Sequence, residues 1–169
     1  MTSTQSTPAQ TPDPPVGAFA RRTRTVTGRD IELFTAITGD RNPIHYDAEL
    51  AARSRFGGLV VQGGVTSGLL NALVAEQLPG PGSVFLEVVW RFLAPVRPGD
   101  VIIAEAVVTA ARADKPVTTL ATRITNQDGV VVLDGTAVVW RDPVLAAHHA
   151  APAAPSIPAG SPAPSLEES

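Results

Sequence analysis

The chain has no cysteine, and it holds only three histidines, one tyrosine and one methionine. Without thiols it forms no disulfide, builds no thiolate metal site and has no cysteine nucleophile. Charge of neither sign dominates: 13 Lys and Arg stand against 16 Asp and Glu, with no long run of either. The electrostatic footprint of a nucleic-acid or anionic-membrane binder is missing, so neither partner is expected. No apolar run reaches the roughly 20 residues of a membrane span, and the first residues carry no signal-peptide core. A cytoplasmic address follows as the expectation.

What is present is unevenly distributed. Residues 1–17, "MTSTQSTPAQTPDPPVG", and residues 144–169, rich in Pro, Ala and Ser, offer almost no large side chains for burial and read as disordered tails. Both tryptophans, the tyrosine and all five phenylalanines fall within residues 18–143. That stretch is expected to be one domain.

The apolar period within it changes twice. "AFARRTRTVT" suits a short strand. Thr27 and Asp30 have capping-box spacing, Ile31, Phe34 and Ile37 recur at helical intervals, and Gly39 stands where a left-handed C-terminal cap belongs. A second short helix is expected after Asp47. Over residues 65–78, "VTSGLLNALVAEQL", apolar side chains spread around most of the helix circumference, so this helix calls for cover on most sides. Four β-type segments follow, separated by "APVRPG", "ADK" and "QDG", the last a hairpin signal. An α+β domain with a long antiparallel sheet wrapped around a central apolar helix, the hot-dog arrangement, accounts for this order. Long strands leave pairable edges, so a homodimer is expected.

"TGDRNPIH", residues 38–45, lies between the first two helices. Pro43 cannot continue a helical ladder, so the loop is constrained. It presents Asp40 and His45, the only histidine of the domain, since His148 and His149 fall in the Pro/Ala-rich segment. Carboxylate and imidazole together can move a proton to or from water without a metal. From spacing alone, an ordinary Asx-Pro turn with a polar histidine is the favoured reading, because such turns are common.

The longer stretch "FTAITGDRNPIHYDAELAARSRFGG" resembles the signature of MaoC-like, (R)-specific enoyl-CoA hydratases, G-D-x-N-P-x-H-x-D followed by alanine and phenylalanine. Here these are Gly39, Asp40, Asn42, Pro43, His45, Asp47, Ala51 or Ala52, and Phe56. The likeness runs on through the "LPGPGS" step and the "DKP" step, covering nearly all of residues 25–140. It implies a homodimeric hot-dog enzyme that adds water reversibly across an enoyl thioester of coenzyme A or acyl carrier protein, giving a (3R)-hydroxyacyl product.

Carried over by position, the resemblance makes Asp40 and His45 the catalytic pair, with Asn42 holding the loop. It makes the backbone N–H of Gly63 the donor to the thioester oxygen, a role that suits an amide at a helix start. Phe56, Gln62 and Gly64 are substrate-pocket candidates. Where relatives usually show H-G-M, this chain has "QGG", residues 62–64, and a glycine there is expected to widen the pocket entrance or loosen the helix start. Asn71 falls where hydratases carry a serine and is expected to help orient the Asp-His pair.

Two alternatives remain open on these departures: a hot-dog enzyme that adds a different nucleophile to, or otherwise processes, an acyl thioester, and a non-catalytic subunit of a heteromeric dehydratase. Other constellations are weaker. Ser67 in "GVTSG" lacks the nucleophile-elbow pattern and reads as a packing residue. His45, Asp40 and Asp47 fall short of recognised ligand spacing, so neither metal nor cofactor is expected. Arg91, Arg97, Arg112 and Lys115 near strand ends are candidate phosphate contacts, though each reads singly as an ordinary solvated charge.

Overall fold

The computed structural model describes residues 13–147. β1 (Phe19–Thr25) leads into α1 (Gly28–Thr38), a single 3-10 turn (Pro43–His45), α2 (Ala48–Arg53) and α3 (Gly63–Glu76). β2 (Ser83–Phe92), β3 (Val101–Ala111), β4 (Val117–Thr125) and β5 (Val131–Arg141) follow, closed by α4 (Pro143–Ala147). The five strands form one antiparallel sheet with α3 packed against β1, β2 and β3. This is the expected α+β hot-dog fold.

Strand chemistry follows the pleat. Ile102, Ala104, Ala106 and Val108 alternate inward along β3, and Thr118, Leu120, Thr122 and Ile124 along β4. Leu70 and Leu73 of α3 are fully buried on this layer, each worth about 1.5–3 kcal/mol of burial. The small Ala104 and Ala106 belong to the same core and let the helix approach the sheet.

The sheet order is β1-β3-β4-β5-β2, so β2 is not beside β3. Residues 93–100 carry the chain from one edge to the other side of the sheet, with Val96 buried and its carbonyl accepting from Val61 N–H at 2.8 Å. On the outer face, Arg21, Glu105, Arg123, Asp134 and Arg91 stand directly opposite one another across all five strands, a row of alternating sign. Arg91 reaches Asp134 at 3.2 Å and Arg21 reaches Glu105 at 3.8 Å.

One boundary needs correction. α3 begins at Gly63 rather than residue 65. The side of α3 left open within one chain carries Asn71 and Ala75, both exposed. The terminal segments 1–17 and 144–169, read from composition as disordered tails, lie mostly outside the described residues, which take in only 13–17 and 144–147 of them. Gly17 N–H donates to the Val108 carbonyl at 2.8 Å, and α4 extends past Pro143 with Ala146 buried. Asp142 caps α4 by accepting from Val144 and Leu145 N–H, at 2.8 and 3.0 Å, a local signal that the Pro/Ala-rich composition masks.

α1 is fixed at both ends. Asp30 Oδ2 accepts from the Thr27 amide at 2.8 Å and its hydroxyl at 2.9 Å, and Gly39, at φ 75°, donates to the Thr35 carbonyl. Burial pushes the Asp30 carboxyl up, but the Thr27 hydrogen bonds and the Arg24 guanidinium outweigh it and hold the group below its ordinary 3.8.

Two outcomes follow. Gly135 in β5 has φ 154°, and a Cβ there would lie 1.9 Å from the Val89 carbonyl oxygen of β2. Gly135→Ala should therefore cost at least about 2–3 kcal/mol in denaturant unfolding, and wild-type stability would contradict this close approach. Asp30→Ala should cost about 1 kcal/mol at neutral pH. Because the folded-state value is depressed, that contribution is full above 3.8 and lost as pH falls through the lower folded value, so the gap to wild type narrows in acid. A gap independent of pH would show that the charge is not what matters.

Candidate active site

The loop after α1 is built from side-chain-to-backbone hydrogen bonds. Asp40 Oδ1 accepts from Asn42 N–H at 3.1 Å, and Asn42 Oδ1 accepts from Ile44 N–H at 3.3 Å. These Asx interactions start the 3-10 turn at Pro43, whose ring presets the required φ. His45 N–H donates to the Asn42 carbonyl at 3.0 Å, and Asp47 then caps α2 by accepting from Leu50 N–H at 2.9 Å. Asn42 thus bonds within the loop through both its side chain and its carbonyl.

One carboxylate oxygen of Asp40 is occupied by the loop; the other, Oδ2, lies 3.5 Å from His45 Nε2. That separation is ion-pair distance but long for a direct hydrogen bond, and one water or hydroxyl can be shared across it. The imidazole is almost covered while the carboxylate is 39% exposed. His45 Nδ1 lies 2.6 Å from the Val60 carbonyl oxygen, which can only accept, so Nδ1 carries the proton. In the neutral ring Nε2 is then a proton acceptor, and in the imidazolium a donor.

His45 faces an open cleft of about 470 Å³ that Asn42, Phe56, Val60, Gly63, Thr66, Phe92 and Leu93 help to line. The walls are largely apolar. Gly63 is the first residue of α3, so its N–H has no intrahelical acceptor and sits at the positive end of the helix dipole. Phe92 packs over Gly63, where an added Cβ would meet its ring at 3.1 Å.

The structure brings Asp40, Asn42, His45, Phe56 and Gly63 together and leaves three candidates elsewhere. Gln62 is buried behind the cleft, its Nε2 donating to Thr35 Oγ1 at 3.0 Å and to the Ile31 carbonyl at 3.4 Å. Gly64 lines a separate groove between α1 and α3, and the Phe34 ring occupies the space that a side chain there would need, with a Cβ only 2.1 Å from it. Gly64 thus faces α1 rather than the cleft. Asn71 is exposed on α3, does not line the cleft and makes no hydrogen bond to Asp40 or His45 among the described residues.

Of the four cations considered near strand ends, Arg97 turns inward to the carbonyls of Phe56 and Leu59, Arg112 pairs with Asp114 at 2.7 Å and Arg91 joins the outer-face row. None of the four, Lys115 included, lines the cleft. Arg55 does, its guanidinium 4.9 Å from the Phe56 ring centre. Thr66 does too, buried one turn beyond Gly63. Sequence reasoning passed over both: Arg55 adjoins the Phe56 motif position, and Thr66 follows Gly63 at i+3 on the same helix face. Among the described residues no cluster of three potential ligands could hold a metal, and no helix is long and apolar enough to cross a membrane.

A family model described as "MaoC like domain" matches residues 8–128. An (R)-specific enoyl-CoA hydratase of Aeromonas caviae is 40% identical over 124 residues, 73% of this chain and 92% of that protein. A 3-hydroxybutyryl-CoA dehydratase of Methylorubrum extorquens is 40% identical over 114 residues, 68% of this chain and 72% of its own. The solved structure of an (R)-hydratase from A. caviae superposes with a TM-score of 0.72 at 39% identity, covering 76% of this chain and 97% of that one.

Proposed function

The chain belongs to the MaoC-like domain family, and from that premise we propose that it is a lyase interconverting trans-2-enoyl and (3R)-hydroxyacyl thioesters, of coenzyme A or of acyl carrier protein, by Asp40/His45 acid-base catalysis. The observation that carries this reading is Asp40 Oδ2 set 3.5 Å from His45 Nε2, beside a largely apolar cleft lined by Gly63, whose amide has no intrahelical acceptor. In hydration a water bound between the two side chains loses a proton to one of them as its oxygen bonds to Cβ. The π-electron pair moves toward the thioester oxygen, where the Gly63 N–H stabilises the developing charge. The pair then returns to form the C–H bond at Cα with a proton delivered from the same side, so H and OH add to one face. Dehydration runs the same steps backwards.

The active form in this reading is a cytoplasmic homodimer, with one domain per chain. The two sheet edges differ in a way that supports it. β1 carries Arg21, Arg22 and Arg24, charges that discourage edge pairing, whereas β2 presents Val84, Val88 and Val89. Val88 and Phe92, two residues either side of Trp90, share the face on which the partly buried Trp90 packs against the core, yet stand 43% and 56% exposed in the single chain. A second copy paired along β2 would cover them.

Asp40→Asn and His45→Gln should each lower kcat for a short trans-2-enoyl-CoA by about two or more orders of magnitude, followed as loss of enoyl absorbance. Full turnover by either folded variant would refute the assignment. Sedimentation should show a dimer for the wild type and a monomer for Val88→Glu; an unaltered dimer in the variant would place the interface elsewhere.

A further inference from the structure

The proton-transfer pair and the amide that meets the developing charge belong to different parts of the chain, Asp40 after α1 and Gly63 at the start of α3. Thr35, in the last turns of α1 and 8% exposed, joins the two. Its hydroxyl donates to the Asp40 carbonyl at 2.7 Å and accepts from Gln62 Nε2 at 3.0 Å and from the Tyr46 hydroxyl. A hydroxyl has one hydrogen and two lone pairs, so every valence is used and the geometry is fixed from three directions. Gln62, 2% exposed, immediately precedes Gly63 and is the N-cap residue of α3. Tyr46 immediately follows His45. The three hydrogen bonds therefore end on the carbonyl of Asp40 itself and on the side chains of the residue after His45 and the residue before Gly63.

We propose that Thr35 is a positioning residue: its hydroxyl sets the separation between the Asp40/His45 pair and the Gly63 amide by holding the loop to the start of α3 through Gln62 and Tyr46. The inference rests on the hydration reading for its catalytic consequence but not for its structural one. It also assigns a purpose to Gln62, which does not touch the cleft: its amide bridges α1 and α3 by binding Thr35 and the Ile31 carbonyl together. Removal of the hydroxyl leaves the Asp40 carbonyl and one N–H of the buried Gln62 amide without this partner, and releases the half-exposed Tyr46 phenol from its tie to α1, so the loop and the α3 start are no longer held to one another. Substrate affinity, supplied by the apolar walls of the cleft, should be far less sensitive to such movement than the transition state, which needs both groups at once.

The test uses the full chain with Thr35→Val, which keeps the side-chain volume, and Thr35→Ser, which keeps the hydroxyl. With a short trans-2-enoyl-CoA, Thr35→Val should lower kcat about tenfold or more with KM within about twofold, and Thr35→Ser should restore kcat to within about threefold of wild type. Wild-type kcat in Thr35→Val, a loss confined to KM, or a Ser variant as impaired as the Val variant would overturn the proposal. If the wild type itself shows no turnover, the hydration reading falls and backbone hydrogen exchange over residues 39–47 decides. Faster exchange in Thr35→Val, reversed in Thr35→Ser, upholds the positioning role; exchange equal to wild type in Thr35→Val overturns it.

Discussion

The hydrogen bond between His45 Nδ1 and the Val60 carbonyl is the constraint on which the site depends. A backbone carbonyl cannot donate, so the bond fixes the ring's tautomer as well as its direction and leaves Nε2 to face Asp40. It also joins the loop after α1 to the segment entering α3, a junction reinforced by Val60 N–H donating to the Ile44 carbonyl at 3.2 Å. Arg97 supports that segment from the other side through the Phe56 and Leu59 carbonyls. A cation that the sequence offers as a phosphate contact thus serves as a brace for the backbone that orients the histidine.

How much of the site can be read from sequence depends on whether its determinants are local. The Asp40 to Asp47 loop is local: Asx turns, a proline at the first helical position and an N-cap are all encoded within a few residues, and "GDRNPIHYD" gives the geometry directly. The departures at Gln62 and Gly64 depend on partners far along the chain. Gln62 is explained by Thr35 and Ile31, and Gly64 by Phe34. All three partners lie on α1, which no spacing rule relates to α3. The same holds for Thr66, whose place in the cleft follows only once α3 is set against the sheet.

The fold shows the same division. Caps at Thr27, Gly39 and Asp47, the alternation along β3 and β4 and the hairpin between β4 and β5 are short-range and legible. Less legible are the exposure of one side of α3 and the docking of α4. The first depends on the single sheet covering only one side of the helix, the second on a cap at Asp142 inside a composition that otherwise suggests disorder. The two edges are also chemically unequal, and only the spatial strand order reveals that the basic segment and the apolar segment are the ones left unpaired.

The row of charges on the outer face bears on that order. Taken along the chain, Arg21, Arg91, Glu105, Arg123 and Asp134 place two arginines next to each other; taken across the sheet, signs alternate without exception. A sheet in which β2 lay beside β1 in this register would set Arg91 against Arg21, and like charges directly opposite are destabilising. Each exposed pair contributes little to stability, at most about 1 kcal/mol. Their collective effect is selective: five surface side chains bias the chain toward one permutation of its strands and against its nearest competitor, so topology is written in part on the face of the sheet that holds no core.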